Sequence, residues 1–235
     1  DWSSDVCSSD LFFARMDEEG FIAPDVRTML HFLTDGRPVL LSLSVEWMSR
    51  HVPLPMMTEY TLADLKALPD DELTELRQTF EFELVDRVRQ LKNPLDRAIL
   101  YMAHIHRRNN AEILAVLLDL SPPEAERLVR DLAALSFVRY NPSTGSCLLH
   151  DEMKNLVNKH AWPYVDPTHA VRRRLTRKVI ERYYEPRIAA LMQEIQAEIS
   201  PTSDALPRVE ISDAEWALWQ LEAECLYYHL LLSEE

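Results

Sequence analysis

At 235 residues, 47% hydrophobic and 27% charged, the chain can bury the core of one large domain or several small ones, which excludes wholesale disorder. Its formal charge of −14 excludes a general coat for nucleic acid or anionic membrane, because nonspecific phosphate binding needs a net excess of Lys and Arg. Three glycines leave little material for a many-stranded sheet or a Gly-rich phosphate loop, and three scattered cysteines fit neither a disulfide framework nor a Cys-x-x-Cys zinc site.

Asp1 to Leu11 resembles the translation of a sequencing-library adapter found at the ends of metagenomic genes, and this segment is set aside from the fold. A short helix is expected after Pro24, stopped by Leu33-Thr34-Asp35-Gly36, and Pro38 starts another carrying Val39, Leu40, Leu43 and Trp47 on one face. Pro53 and Pro55 end it. From about Asp70 to Leu91, Leu73, Leu76, Phe80, Leu84 and Val88 recur at steps of three or four, which predicts a long amphipathic strut broken by Asn93-Pro94.

Three short helices follow. Leu95, Ala98, Ile99, Met102 and Ala103 mark the first, and Ile113, Leu114 and Leu117 mark the second after a polar Arg107 to Asn110 turn. Ser121-Pro122-Pro123-Glu124 starts the third with the pattern of a capping box, and Ala125, Leu128, Val129, Leu132 and Leu135 are its buried positions. Phe137 to Tyr140 and Ser146 to His150 read as strands around a turn at Gly145. Helix, helix, helix, hairpin is the winged helix-turn-helix order. A further helix covers Asp151 to His160, the chain turns at Pro163 and Pro167, and a helix from about Ala170 to Tyr184 is followed by another opening at Pro186 and running to about Ile199. After a linker at Ser200 to Pro207, the last helix, Asp213 to Leu231, carries more apolar surface than one helix can cover, so its packing partner is expected beyond Glu235.

The third helix offers Glu124, Glu126 and Asp131 against Arg127 and Arg130, an acidic surface that phosphates would repel, so DNA is disfavoured as a partner. His104 and His106, two apart on a helix, point to different faces and make no metal pair. Arg172, Arg173, Arg174, Arg177 and Lys178 form the one strongly basic patch, read first as a solvated face pairing with the acidic remainder and second as an anion or interdomain contact. No apolar stretch is long enough to span a bilayer and no secretory signal is read, so no membrane partner is expected, and the scattered cysteines lead us to expect a reducing, cytoplasmic setting.

Leu149-His150-Asp151, where the hairpin meets the following helix, resembles the Met-His-Asp motif in the winged-helix domain of bacterial STAND P-loop NTPases, the NB-ARC and NACHT-like signalling ATPases, with leucine standing for methionine. Gly36-Arg37-Pro38 is similar to the Gly-x-Pro motif of the helical lid in the same proteins. The resemblance covers most of the chain after Leu11. It implies a mainly α fold: residues 12–57 as the end of a nucleotide-binding region (the helical lid), 58–93 as a connecting helix, 94–165 as the winged helix with one β-hairpin, 166–200 as linker helices and 201–235 as the start of tetratricopeptide-like (TPR-like) repeats. It further implies an ADP/ATP site in which His150 contacts the β-phosphate and holds the closed, resting state, Pro38 packs near the adenine, and Gly36 and Asp151 belong to the same two motifs. No Gly-x-x-x-x-Gly-Lys-Ser/Thr occurs in the sequence, so the phosphate cradle and its magnesium are expected from an N-terminal domain preceding Phe12, and the chain alone should not hydrolyse ATP. The implied partners are the nucleotide shared with that domain, a protein trigger received by the C-terminal repeats, and further copies of the chain when active. A DNA-binding winged-helix regulator and a non-enzymatic helical interaction scaffold are the alternatives from other classes.

Overall fold

A computed structural model of the chain describes residues 13, 20, 22–49, 54–89, 93–198 and 212–234. The adapter-like segment, Pro53, Leu91 and the Ser200 to Pro207 linker lie outside these residues. The fold is mainly helical, and the described strands form a single antiparallel hairpin. Helices α1 (Pro24–Thr34) and α2 (Pro38–Ser49) are followed by two short helices that the apolar spacing did not predict, α3 (Met56–Glu59) and α4 (Leu62–Ala67). The second was legible after all in Thr61-Leu62-Ala63-Asp64: the Thr61 hydroxyl accepts from the Asp64 amide at 3.2 Å and the Asp64 carboxylate accepts from the Thr61 amide at 2.9 Å.

Helix α5 (Asp70–Arg89) is the spine. Phe80, Leu84, Val85 and Val88 on its inner face are fully buried, and it packs against α1 and α2 on one side and α6 (Pro94–His104) and α9 (Asp151–His160) on the other. Trp47 of α2 fastens the first contact by donating its indole N–H to the Leu84 carbonyl at 2.8 Å.

Helices α6, α7 (Ala111–Leu118) and α8 (Pro122–Ala133) precede strands β1 (Val138–Asn141) and β2 (Ser146–Leu149), paired with Val138 opposite Leu149 and Asn141 opposite Ser146. The Asn93 and Asn110 side chains cap α6 and α7 by accepting from the amides of Asp96 and Ile113, and the Glu124 carboxylate accepts from the Ser121 amide at the start of α8. The hairpin packs on α8 and α6, and the buried Cys147 amide donates to the Asn109 carbonyl at 2.9 Å, which ties the wing to the turn before α7. Pro163 does not simply turn the chain: it sits inside a short helix, α10 (Trp162–Val165).

The expected break before Pro186 is absent. Helix α11 (Ala170–Val179) passes through a π turn at Ile180–Tyr184 directly into α12 (Glu185–Glu198). A proline lacks the amide for the usual bond and clashes with the carbonyl four residues back. The π turn, in which the Glu185 amide reaches the Ile180 carbonyl, widens the backbone just ahead of the proline and lets the helix continue. Helix α13 (Asp213–Glu234) lies against α12, the π turn and α11, burying Leu221, Cys225 and Tyr228. Cover for this helix is thus supplied within the chain on one face, while Trp216, Trp219, Leu226 and Leu230 on the other stay at least half exposed.

His106 lies past the end of α6 and not on it, with its Nδ1 3.1 Å from the His104 carbonyl oxygen. His104 is buried between Thr176, whose hydroxyl lies 2.7 Å from Nε2, and the edge-on Trp162 ring. Burial pushes its pKa down from 6.5 to about 4, with Arg172 adding to the effect. Since the unfolded chain takes up the proton first, stability is complete above pH 6.5 and falls as pH drops from 6.5 toward 4, by roughly 3 kcal/mol in full. Urea unfolding at pH 7 and pH 4.5 should show this slope, and His104→Gln should flatten it; an equal slope in the variant would assign the acid sensitivity elsewhere.

Candidate functional site

Helix α1 ends in two successive left-handed residues, Asp35 at φ 54° and Gly36 at φ 67°, with the Gly36 amide bonded back to the His31 carbonyl at 3.0 Å. A Cβ at Gly36 would meet the His31 ring at 3.0 Å, so position 36 needs glycine for its φ and for its space. Gly36→Ala is expected to cost about 1 to 2 kcal/mol in equilibrium unfolding, whereas a change below a few tenths would show that the turn adapts freely. Arg77 of α5 reinforces the corner by donating from Nη2 to the Phe32 carbonyl at 2.9 Å and pairing with Asp35 at 3.2 Å. Arg37 then precedes Pro38, and its carbonyl accepts the first helical bond of α2 from Leu41.

Arg37 reaches across the molecule. Its Nε donates to Glu152 in the first turn of α9 at 2.7 Å, and its Nη1 pairs with Glu81 of α5. Glu81 is 8% exposed and is also met by Lys159 Nζ at 3.2 Å and His160 Nε2 at 3.3 Å, both at the end of α9. Burial raises this carboxyl, but the Arg37 hydrogen bond and charge, with help from Lys159 and His160, outweigh it and hold the group below the usual carboxylate range. One buried carboxylate and one arginine therefore join the Gly36-Arg37-Pro38 corner, the spine and both ends of α9. Nothing local in the sequence marks Glu81 or Glu152: their partner lies 44 or 115 residues away.

His150 is half-buried at the foot of the hairpin, where its amide donates to the Phe137 carbonyl at 3.0 Å and its carbonyl receives the Lys154 amide of α9. Arg139 of β1 brings a guanidinium nitrogen to 3.4 Å from Nδ1. In the tautomer in which Nδ1 accepts from Arg139, Nε2 is the donor and can serve an anion. Asp151 does not cap the helix. His150 occupies the cap position, while Asp151 is the first helical residue, exposed, with its carboxylate drawn 3.1 Å from Lys154 and held below the usual range by that hydrogen bond. Its negative charge still suits a helix start.

Thus the Gly36-Arg37-Pro38 corner meets the first turn of α9 through Arg37 and Glu152, 115 residues apart, with Glu152 following Asp151 in the chain. Two grooves of about 460 and 450 Å³ lie elsewhere, one beside α11 and one between α12 and α13, and neither is lined by Gly36, Pro38, His150 or Asp151. Among the described residues no group of His, Cys, Asp and Glu could hold a metal ion, and no helix is long and apolar enough to cross a membrane. No family model, curated protein or solved structure matches the chain.

Proposed function

We propose that this chain is the regulatory, lid-to-winged-helix portion of a STAND-type signalling ATPase, which senses ADP against ATP at His150 and passes the state to the C-terminal helices. The meeting of the Gly36-Arg37-Pro38 corner with the first turn of α9 carries the reading, because a nucleotide switch needs lid and winged helix to close on one ligand. His150 would donate from Nε2 to the β-phosphate with Arg139 beside it, Pro38 would pack near the adenine, and Gly36 would hold the corner open to it. Asp151 acts indirectly, through Lys154 and the start of α9. In such switches a P-loop with magnesium completes the pocket; this sequence contains no P-loop motif, so hydrolysis belongs to the whole protein. The exposed face of α13 is the surface for a trigger protein or for the next TPR-like helix, and assembly with further copies would follow opening.

The acidic surface of α8, where Glu124, Glu126, Arg127, Arg130 and Asp131 are all exposed, speaks against a DNA regulator. Melting in ADP tests the proposal. ADP at about tenfold over its dissociation constant should stabilise the chain by about 1.4 kcal/mol, AMP should do less, and His150→Ala should lose the ADP increment at unchanged intrinsic stability. An equal increment in His150→Ala would remove this histidine from the switch.

A further inference from the structure

The outer face of α11 and the π turn carries Arg174, Arg177, Lys178, Glu181 and Arg182 at helical spacing, and with Asp119 at the end of α7 these line a groove of about 460 Å³. Four cations against two carboxylates make it locally positive in a chain of formal charge −14. The groove already holds one carboxylate: Asp119 receives Lys178 Nζ at 2.6 Å and lies 3.6 Å from Arg182 Nη1, while Lys178 also donates to the Leu117 carbonyl at 3.4 Å. Arg174 and Arg177 are exposed and have no carboxylate partner among the described residues. Exposed guanidinium groups that are not spent on internal pairs keep their planar donor forks for bidentate contact with carboxylates.

We propose that this groove docks an acidic protein segment, whose carboxylates are taken by Arg174 and Arg177 beside the position that Asp119 fills. Asp119 is then an internal competitor, occupying Lys178 and Arg182 until a partner arrives. A carboxylate ligand is favoured over nucleic acid because the neighbouring helix α8 exposes more acids than bases and would oppose a continuous phosphate backbone. The inference stands apart from the nucleotide proposal, since none of these residues touches the Arg37 network.

Fluorescence anisotropy with a labelled oligoglutamate peptide, across a salt series, tests it. Salt-sensitive binding is expected, weakened about tenfold or more by Arg174→Glu with Arg177→Glu, and unchanged by Arg127→Glu with Arg130→Glu on α8. Asp119→Asn keeps a residue tolerant of the left-handed φ of 56° and should tighten the peptide several-fold by freeing Lys178 and Arg182. Circular dichroism checks that each variant is folded. Absence of binding at low salt, equal affinity in the Arg174/Arg177 variant, weaker affinity in Asp119→Asn, or tighter binding of a duplex DNA than of the peptide each overturns the proposal.

Discussion

Trp162→Ala should lower stability by about 4 kcal/mol, the largest effect expected of any single truncation in the chain. The indole is fully buried, stacked on Tyr101 at 6.4 Å between ring centroids, met edge-on by His104 at 5.9 Å and covered by the Arg172 guanidinium at 5.4 Å. Those neighbours come from α6 and α11, so the cavity opens where the winged helix meets the helices that follow it. For a chain of this size the loss corresponds to roughly 10 °C in melting temperature. Its Nε1 has no hydrogen-bond partner among the described residues, which offsets part of the loss, so Trp162→Phe should be far milder than alanine. Equal effects of the two substitutions in differential scanning calorimetry would show that the site collapses without a cavity.

Glu81→Ala should cost about 3 kcal/mol, the second largest effect. The carboxylate neutralises Arg37 and Lys159 and sits against His160, so its removal leaves two cations without their shared partner at a partly buried site. Lys159 is largely exposed and can turn to water, and Arg37 keeps Glu152, which places the cost at the lower end of the range for buried pairs. Arg37→Met with Glu81→Leu removes charge from both sides and should recover most of the stability. That double variant separates electrostatics from shape. If it is as unstable as Glu81→Ala, packing and not charge balance holds the Gly36-Arg37-Pro38 corner to the spine.

Local chemistry was readable wherever it was written in consecutive residues. Ser121-Pro122-Pro123-Glu124 gave the start of α8, Gly145 the turn of the hairpin, and Pro24 and Pro38 the starts of α1 and α2, because caps and special backbone angles depend on near neighbours. What was not readable depended on partners far away. Arg37 is the unspecified middle residue of the Gly-x-Pro pattern, and only the fold brings Glu81 and Glu152 to it. Pro186 was read as a helix start because the π turn that accommodates it carries no sequence signature of its own. The helix start at Asp151 was legible; that its carboxylate pairs with Lys154 was not. The α13 surface was half legible. Its excess of apolar side chains was evident, but which face α11 and α12 would cover was not.

The proposed switch depends on His150 donating to a nucleotide phosphate from the foot of the hairpin. Titration of ADP into the uniformly nitrogen-15-labelled chain tests this directly: the His150 Nε2 resonance should shift with ADP, and the backbone amide of Gly36 should follow the same binding curve. If Gly36 and His150 both stay unmoved at saturating ADP, or His150 responds to AMP as it does to ADP, the phosphate contact does not exist.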